Sequence, residues 1–520
     1  MTANENSIRQ LFDVRIRMRD GAELSADVWL PAAEGRYPVL LMRTPYLKTM
    51  PEANFPEWGS YFARHGYAFV VQDVRGRGDS DGEFNFFFQE THDGYDSVEG
   101  LAAQPWANGR VGMIGVSYWG TAQWLAARAR PPHLVCIAPT SPAGEFLNEL
   151  PSVGGAFLMM WALGWFNETA GRISQSPNLR SVDWEQVYAH RPLLTMDEAL
   201  GRKMRLYREM LEHDTMDDYW RRIQLTREDF ERIDLPVLNV TGLFDGDQTG
   251  ALFYWNGLRQ YGRTPVESRF LVIGPWNHLQ SFMGGADSMG QMSLSKDAVI
   301  DNKALHRAFF DRYLRESSPD FDQPRVRIYL TGANEWRSYD EFPLSTAVPK
   351  RLFLSSGGKA NTAQGDGTLG TQAPVDAPAD RYLFDPKAPV PFDWQGAGND
   401  RREIQQRSDV LVYTSAPLDR PLEAVGDVHV ELFAASDALD TDFTALISDV
   451  QPDGRALLLG QKPVGIVRAR YRDGSGTKLL TPGKVERYAI QLGTLAHAFL
   501  PGHRIRVEIS SLYGDRKSVV

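Results

Sequence analysis

The chain has 520 residues, of which 42% are hydrophobic and 23% are charged, and its formal net charge is −10. This length predicts two or three domains, and the acidic balance argues against a nucleic acid or an anionic membrane as partner. The single cysteine, Cys136, excludes an internal disulfide and a cysteine-based metal cage. There is no apolar segment at the start and no run of 18 apolar residues, so we expect a cytoplasmic protein without a membrane span.

Residues 1–143 alternate short apolar runs with helical patterns. The runs at 39–42, 68–71, 111–114 and 134–138 have the continuous apolar character of parallel strands that are buried on both faces. Helical patterns at 57–64, 92–104 and 119–128 lie between them. Strand and helix in alternation predict a doubly wound α/β sheet.

Residues 144–232 interrupt this pattern with a stretch that is helical in character. Two capping boxes, Thr195 with Glu198 and Thr226 with Asp229, predict helix starts there. The sheet pattern resumes at 235–240 and 270–273 and ends with a helix at 303–314. We therefore expect an α/β domain formed by 1–143 and 233–320, with an inserted helical cap over the carboxyl edge of its sheet.

The C-terminal region, 321–520, is rich in short β patterns separated by Gly, Pro, Asp and Asn. Strand patterns occur at 325–330, 351–354, 410–413, 428–432, 443–447 and 504–509. Many short strands with turn signals between them predict a β-sandwich. The segment 355–380, rich in Gly, Ala, Thr and Asp, is expected to form a long surface loop.

Ser117 is the candidate nucleophile. It stands in Gly115-Val-Ser-Tyr-Trp-Gly120, after a predicted strand and before a predicted helix. A tight strand-to-helix turn exposes the serine Oγ at the sheet edge, and the helix N-terminus directs amide N–H groups at a developing oxyanion. The spacing Gly-x-Ser-x-x-Gly differs from the common Gly-x-Ser-x-Gly, so the strand, helix and cap around it carry much of the argument.

The acid and the histidine of a triad follow the serine in this fold. Asp245 comes just after the strand at 235–240, although a turn aspartate before Gly246 is an equal interpretation and Asp247 competes with it. His278 lies on the loop after the strand at 270–273. It is the one histidine that follows a late sheet strand downstream of both Ser117 and a candidate acid.

Aromatic residues near these positions have open interpretations. Tyr46, in the segment after the first buried strand, is favoured on its own as a core or turn residue. In the cap, Trp161, Trp165 and Phe166 could line an apolar acyl pocket or could form the core of the cap. The pocket interpretation predicts a preference for aromatic or bulky acyl groups.

The sequence resembles the cocaine-esterase-like serine hydrolases, which are related to the Xaa-Pro dipeptidyl-peptidases and the α-amino-acid ester hydrolases. The matching runs occur in the same order as in the family and span nearly the whole chain. The cap is the region that resembles the family least. The matching runs include 18–21, 43–46, 73–78, 80–82, 104–106, 109–118, 274–278, 309–314, 326–336 and 501–506. The segment 513–517 departs from the family pattern.

This resemblance implies a triad of Ser117, Asp245 and His278. It implies that the Tyr46 hydroxyl and the Tyr118 backbone N–H form the oxyanion hole, which overturns the interpretation of Tyr46 as a core or turn residue. It also implies an α/β-hydrolase domain with a C-terminal jelly-roll β-sandwich, no cofactor and, by family likeness, a homodimer.

The resulting hypothesis is a serine hydrolase that cleaves small-molecule carboxylic esters, with amides as a further class. Xaa-Pro dipeptidyl-peptidase or α-amino-acid ester hydrolase activity is the alternative and needs carboxylates for the substrate ammonium: Asp247, Glu145, Glu149 or Glu168. A catalytically inactive carbohydrate-binding protein is the non-enzyme alternative. We expect no metal or nucleotide site, because the sequence has neither His-Glu-x-x-His nor a phosphate-binding glycine loop.

Overall fold

The computed structural model describes residues 8–315, 321–391, 396–460, 465–474 and 476–511, except for the side chains of 176–178. The segment 513–517, singled out above, lies outside the described residues. Within the described part, the strands in chain order are β1 Ile8–Arg17, β2 Glu23–Pro31, β3 Tyr37–Thr44, β4 Ala68–Asp73, β5 Ala107–Val116, β6 Leu134–Thr140, β7 Ser152–Val153, β8 Ala156–Phe157, β9 Val237–Gly242, β10 Arg269–Gly274, β11 Ser288–Met289, β12 Met292–Ser293, β13 Val326–Leu330, β14 Glu335–Tyr339, β15 Phe353–Ser355, β16 Thr368–Gly370, β17 Leu411–Thr414, β18 Leu422–Ala434, β19 Asp442–Val450, β20 Ala456–Leu458, β21 Gly465–Arg468, β22 Glu486–Phe499 and β23 Arg504–Ser510.

The helices of the described residues, in chain order, are α1 Phe55–Arg64, α2 Glu90–Ala102, α3 Tyr118–Ala129, α4 Met159–Thr169, α5 Trp184–Ala189, α6 Arg205–Glu212, α7 Asp218–Arg221, α8 Arg227–Phe230, α9 Gln248–Tyr261, α10 His278–Met283 and α11 Asn302–Leu314. Short 3-10 helices occur at Pro51–Ala53, Ser176–Ser181, Leu193–Leu200, Val266–Ser268, Lys296–Ala298, Ile404–Gln406 and Ala469–Tyr471.

A central sheet organises the N-terminal two thirds of the chain. Its order is β1-β2-β4-β3-β5-β6-β9-β10-β13-β14. Pairing is parallel from β4 to β13 and antiparallel at both edges. Every residue of β4, β9 and β10 is buried, as expected for strands covered by helices on both faces. The predicted α/β sheet is confirmed.

The cap leaves the sheet after β6 and returns to it at β9. It contains the helices α4 to α8 and one small hairpin, β7 with β8. The predicted capping box of Thr226 with Asp229 is present at the start of α8. The predicted box at Thr195 is wrong, because Thr195 lies inside the 3-10 helix Leu193–Leu200 and its hydroxyl hydrogen bonds back to the Pro192 carbonyl.

The C-terminal region is a β-sandwich. One sheet has the order β15-β16-β17-β23-β19-β20, with β21 also paired to β19, and a long antiparallel ribbon of β18 and β22 forms the other. The sandwich contacts the α/β domain at the start of α9. The Thr494 amide of β22 donates to Gln248 Oε1 at 2.9 Å, and Gln248 Nε2 returns a bond to the Thr494 carbonyl at 3.1 Å.

Two details of the C-terminal region differ from the sequence analysis. The strand predicted at 325–330 is expected in the sandwich, but the observed strand, β13, pairs in parallel with β10 and extends the central sheet. A lone alternating strand does not reveal which sheet it joins, and this register depends on pairing across the chain. The predicted loop at 355–380 is largely exposed, but its residues 368–370 form β16 against β15.

Candidate active site

Ser117 occupies a strained turn between β5 and α3. Its backbone has φ 60° and ψ −127°, and its N–H donates to the Thr140 carbonyl at 2.9 Å. Such a conformation is costly for a residue with a Cβ and persists where the surrounding structure imposes it. Gly115 makes the turn possible, since it has φ +143° and a Cβ there would lie 2.4 Å from Trp119 Cβ. The side chain is partly exposed at the carboxyl edge of the sheet.

Tyr118 is the first residue of α3, directly after Ser117. The N–H groups in the first turn of a helix have no acceptor within that helix, so the Tyr118 amide is available to a ligand at the serine. Its phenol is occupied elsewhere, because the hydroxyl donates to the Phe86 carbonyl at 2.7 Å and lies 3.2 Å from Glu90 Oε1. Only the backbone of Tyr118 is therefore suited to the oxyanion role.

Tyr46 lies two residues after the end of β3. Its N–H donates to Thr44 Oγ1 at 3.0 Å, and Trp119 Nε1 donates to the same oxygen at 3.0 Å. The Tyr46 hydroxyl accepts a hydrogen bond from Trp165 Nε1 at 2.9 Å and also interacts with the Ser117 side chain. Burial raises the pKa of Tyr46 to about 12 despite these two hydrogen bonds. The phenol is therefore a neutral donor at physiological pH.

Asp245 and His278 are hydrogen bonded across the ends of β9 and β10. His278 Nδ1 lies 2.8 Å from Asp245 Oδ1, and the Asp245 carboxylate is fully buried. Asp245 Oδ1 also accepts the Asp247 N–H at 2.9 Å, which orients the carboxylate. His278 is the first residue of α10, and Asn277 caps that helix in a capping box with Gln280. The histidine ring thus stands on a rigid support.

Asp247 is a second acid beside the same imidazole. Its Oδ2 lies 3.8 Å from His278 Nδ1. Burial and the charge of Asp245 raise the pKa of Asp247 to about 7, although the His278 charge opposes them. Burial lowers the pKa of His278, but the charges of Asp245 and Asp247 outweigh that effect and raise it to about 9. About a third of the His278 side chain, 35%, remains exposed.

The serine turn and the histidine helix lie against each other. Trp119, in the first turn of α3, packs its ring 5.7 Å from that of Phe282 in α10. Ser281 Oγ of α10 is 2.8 Å from Ser141 Oγ, which belongs to the loop after β6. Since β6 and β9 lie between β5 and β10 in the sheet, these contacts join both sides of the site.

The four candidate carboxylates for a substrate ammonium have different surroundings. Glu149 is buried and accepts three backbone N–H groups, from Gly144, Glu145 and Gly250. Glu145 accepts a bond from the Asn148 amide, and Glu168 accepts one from Ser174. Asp247 alone of the four lies beside His278.

The three cap aromatics lie together on α4. Trp161 and Trp165 stack at 5.8 Å, and Phe166 meets Trp165 edge to face at 5.1 Å. Phe166 is 1% exposed and also packs against Phe86, so it belongs to the core of the cap. Trp161 and Trp165 are half-buried and retain free surface.

One group of side chains has the composition of a cation site. Among the described residues, ligand atoms of Asp245, Asp247 and His278 lie within 4.8 Å of one another. His278 Nδ1 already faces Asp245 Oδ1 at hydrogen-bond distance, so a cation bound between these atoms would replace that bond. The two carboxylates therefore serve better to orient the His278 ring than to bind a cation.

Three residues support the site in ways that the sequence did not indicate, and one of them, Glu149, was expected there only as a candidate carboxylate for a substrate ammonium. Thr44 joins Tyr46 to Trp119, Glu149 joins the loop after β6 to α9, and Arg77 joins the Tyr46 loop to the cap. Arg77 is fully buried, which lowers the pKa of its guanidinium to about 10. Arg77 could have been found as a charged residue in a glycine-rich turn directly after a buried strand. Thr44 is the last residue of β3, two positions before Tyr46, and that position carries no comparable signal.

The fold and the serine turn define an α/β-hydrolase, and the protein is a serine hydrolase. A family model described as X-Pro dipeptidyl-peptidase (S15 family) matches residues 20–280, and one described as the X-Pro dipeptidyl-peptidase C-terminal non-catalytic domain matches 319–517. The chain belongs to the X-Pro dipeptidyl-peptidase (S15) family.

The chain is similar to an esterase, to an α-amino acid ester hydrolase and to an aminopeptidase. The chain is 35% identical to cocaine esterase of Rhodococcus sp. (strain MB1 Bresler), over 96% of this chain and 90% of that protein. An α-amino acid ester hydrolase structure matches with a TM-score of 0.84 and 26% identity, covering 99% of this chain and 91% of that one. An aminopeptidase from the marine sediment archaeon Thaumarchaeota archaeon matches with a TM-score of 0.81 and 27% identity, covering 99% and 92%.

Among the described residues, none of the helices has the length and apolar character that crossing a membrane requires.

Proposed function

We propose that the protein hydrolyses carboxylic esters through Ser117, His278 and Asp245, with an acyl-enzyme intermediate. The observation that carries this proposal is that a strained, partly exposed serine lies at the same sheet edge as a histidine that is hydrogen bonded to the buried Asp245. A serine becomes a nucleophile when a neighbouring base removes its proton, and a third group must hold that base in the correct tautomer.

In the acylation step, His278 takes the Ser117 proton as Oγ attacks the ester carbonyl carbon. The carbonyl π electrons move to oxygen, and the Tyr46 O–H and Tyr118 N–H donate to this oxyanion. Asp245 stabilises the imidazolium through the 2.8 Å bond. When the tetrahedral intermediate collapses, the ester C–O bond breaks and His278 gives its proton to the leaving alkoxide. Water then hydrolyses the acyl-enzyme by the same route.

The acyl part of the substrate is proposed to bind against the cap. The exposed faces of Trp161 and Trp165 lie on the same side of α4, and Trp165 contacts Tyr46 of the proposed oxyanion hole. A flat apolar wall beside the carbonyl favours aromatic or bulky acyl groups. Phe166 supports this wall from the core of the cap and does not itself offer a free face. The proposed substrate class is therefore esters with a bulky or aromatic acyl part.

A second candidate is the hydrolysis of α-amino-acid esters, and one observation favours it. Three of the four candidate carboxylates are committed to bonds within the protein, whereas Asp247 lies beside His278, where a substrate ammonium could pair with it. Burial and Asp245 raise the pKa of Asp247 to about 7, so below that pH it offers less charge to an ammonium. We therefore rank the plain ester first.

A side-by-side substrate panel tests the proposal. We expect turnover of benzoyl and other aromatic acyl esters to exceed that of α-amino-acid esters and of Xaa-Pro anilides, and Ser117→Ala to remove turnover of all three. Preferred cleavage of the amino-acid esters would support the second candidate. Reaction of Ser117→Ala at the native rate would contradict the nucleophile.

The proposal includes a homodimer and a cytoplasmic location. The dimer is supported by family likeness, and the location by a single, buried cysteine, which requires no oxidising compartment. Sedimentation and cell fractionation test them respectively.

A further inference from the structure

We propose that Trp165 of the cap is a positioning residue for the oxyanion hole, because its indole N–H directs the Tyr46 hydroxyl proton toward the reacting carbonyl. This inference rests on the role of Tyr46 proposed above. It begins from one contact: Trp165 Nε1 lies 2.9 Å from Tyr46 Oη.

The chemistry of the two groups decides the direction of this bond. An indole N–H is a donor only, whereas a phenol has one proton and two lone pairs. The Tyr46 oxygen must therefore accept from Trp165, and its own proton cannot point at the indole. That proton is left for another acceptor, and the neighbouring Ser117 side chain acts as one, since it lowers the pKa of the Tyr46 hydroxyl. An oxyanion formed at Ser117 would take its place as acceptor.

Ring contacts hold the phenol in this orientation. Trp165 meets the Tyr46 ring edge to face, with centroids 6.3 Å apart at an interplanar angle of 89°. Trp119 contacts it from the core side, at 6.1 Å and 65°. The Thr44 hydroxyl oxygen fixes the backbone of Tyr46 and the indole of Trp119 together. Donors that are held in place before the reaction stabilise a transition state without a cost of reorganisation.

Arg77 ties the helix that carries Trp165 to the loop that carries Tyr46. Its Nε donates to the Pro45 carbonyl at 2.5 Å, and its Nη1 donates to the Thr169 carbonyl at 3.0 Å and to that of Gly171. The Thr169 carbonyl lies at the C-terminal end of α4, and the Gly171 carbonyl lies two residues after it. A cation at that end is also favoured by the helix dipole. The cap helix and the oxyanion tyrosine are therefore held as one unit.

The cap accordingly has two roles. It lines a pocket for bulky acyl groups, and through Trp165 it contributes to the chemical step for every acyl group. A pocket wall changes the binding of bulky substrates and leaves small ones unaffected. A positioning residue changes the chemical step for both. An acetyl ester and a benzoyl ester with the same p-nitrophenol leaving group separate the two roles.

The experiment is a double-substitution cycle on the acylation rate, with Trp165→Phe, Tyr46→Phe and the double variant. Phe keeps the aromatic ring and removes the donor. We expect Trp165→Phe to lower the acylation rate constant about tenfold for both esters, the equivalent of one lost hydrogen bond, with little change in KM for the acetyl ester. In the Tyr46→Phe background the same substitution should change the rate less than about twofold, since coupled residues are non-additive.

Trp184→Phe is the matched control. Trp184 lies on α5 of the cap and stacks on Tyr188, with ring centroids 5.5 Å apart, so its replacement removes the same atoms from a cap tryptophan that is no part of the proposed site. We expect it to leave the acylation of the acetyl ester unchanged. A loss equal to that of Trp165→Phe would overturn the inference, because general damage to the cap would then account for both.

The outcomes of the cycle are distinct. Losses that multiply in the double variant, or a loss confined to the benzoyl ester, would overturn the positioning role while the proposed function stands. An unchanged rate in Tyr46→Phe would overturn the positioning role together with the proposed oxyanion role of Tyr46, while the assignment of Ser117, His278 and Asp245 would stand.

If Trp165→Phe does not fold, NMR of the tryptophan indoles in the Tyr46→Phe variant tests the same bond with Trp165 intact. With 15N-labelled indoles, Tyr46→Phe should move one indole N–H resonance upfield and speed its exchange with solvent, since that N–H loses its acceptor. Unchanged indole spectra would overturn the inference.

Discussion

Asp247 Oδ2 lies 3.8 Å from His278 Nδ1. The same nitrogen lies 2.8 Å from Asp245 Oδ1. The imidazole thus faces two carboxylates, and their charges outweigh burial and raise its pKa to about 9. A general base must be neutral to accept a proton, so the acid limb of the pH profile reports this pKa.

We expect Asp247→Asn to move the acid limb of kcat/KM to lower pH. Removing the Asp247 charge destabilises the imidazolium and lowers the pKa of His278, so more of the enzyme holds the neutral base at pH 7. The measurement is the pH dependence of kcat/KM for an uncharged ester. Asp218→Asn, at an exposed surface position, is the control. A limb that stays in place or moves to higher pH would contradict the assigned role of Asp247.

The same raised pKa predicts how stability depends on pH. The ionised His278 contributes stability that is fully present below its ordinary pKa of 6.5 and is lost as the pH rises through about 9. Asp247→Asn should reduce this contribution. The unfolding free energy of the wild type relative to the variant should therefore be higher at pH 8, where both Asp247 and His278 are ionised, than at pH 10, where His278 is neutral. Denaturant unfolding at the two pH values measures it.

Ser117→Ala should lower kcat by at least about 10⁴, because the nucleophile of a triad acts together with its base. The fold should be retained, since the partly exposed hydroxyl is replaced by a smaller group. Reaction with a fluorophosphonate probe, followed by intact mass, gives the readout: wild type is labelled once and the variant is not. Labelling of the variant at another serine would refute the assignment.

Tyr46→Phe should lower kcat by a factor of about 10² or more, the typical effect of losing one oxyanion donor. KM should change little, because the ground-state ester carbonyl carries little charge. Single-turnover kinetics with a p-nitrophenyl ester measures the step directly. Tyr37→Phe, which removes a hydroxyl bound to the Ala33 carbonyl far from the sheet's carboxyl edge, should behave as wild type.

Gly115→Ala should distort the serine turn. The residue has φ +143°, and the new methyl group would lie 2.4 Å from Trp119 Cβ. Both effects are unfavourable, and we expect a loss of on the order of 2 kcal/mol in unfolding free energy together with loss of activity. Gly474→Ala, at an open turn position with φ +68°, controls for the conformational term alone. Equal losses in both variants would show that the contact with Trp119 is unimportant.

Arg77→Met should destabilise the cap. The buried guanidinium satisfies carbonyls of Pro45 and Thr169 that have no access to water, and unsatisfied buried acceptors cost about 1–3 kcal/mol each. Urea unfolding should show a loss of on the order of 3 kcal/mol. Arg221→Met, at an exposed ion pair, should stay within about 0.5 kcal/mol of wild type. A similar value for Arg77→Met would mean that water replaces the guanidinium.

Local sequence was a good guide to the catalytic domain. The buried strands predicted at 68–71 and 134–138 correspond to Ala68–Asp73 and Leu134–Thr140, because continuous apolar runs report burial on both faces. Strand β13 was misplaced because its pattern of alternating side chains is compatible with either sheet. The capping box at Thr195 failed because a proline three residues earlier set the start of that helix.

The order of Ser117, Asp245 and His278 along the chain, and their positions after buried strands, were determined by the sequence itself. Strand ends meet at one edge of a parallel sheet, so position in the pattern translates into position in space. Neither the 3.8 Å approach of Asp247 to His278 nor the bond from Trp165 to Tyr46, 119 residues apart, has a local signal. Such contacts depend on how the cap and the strand-end loops pack in three dimensions, and only the tertiary structure decides them.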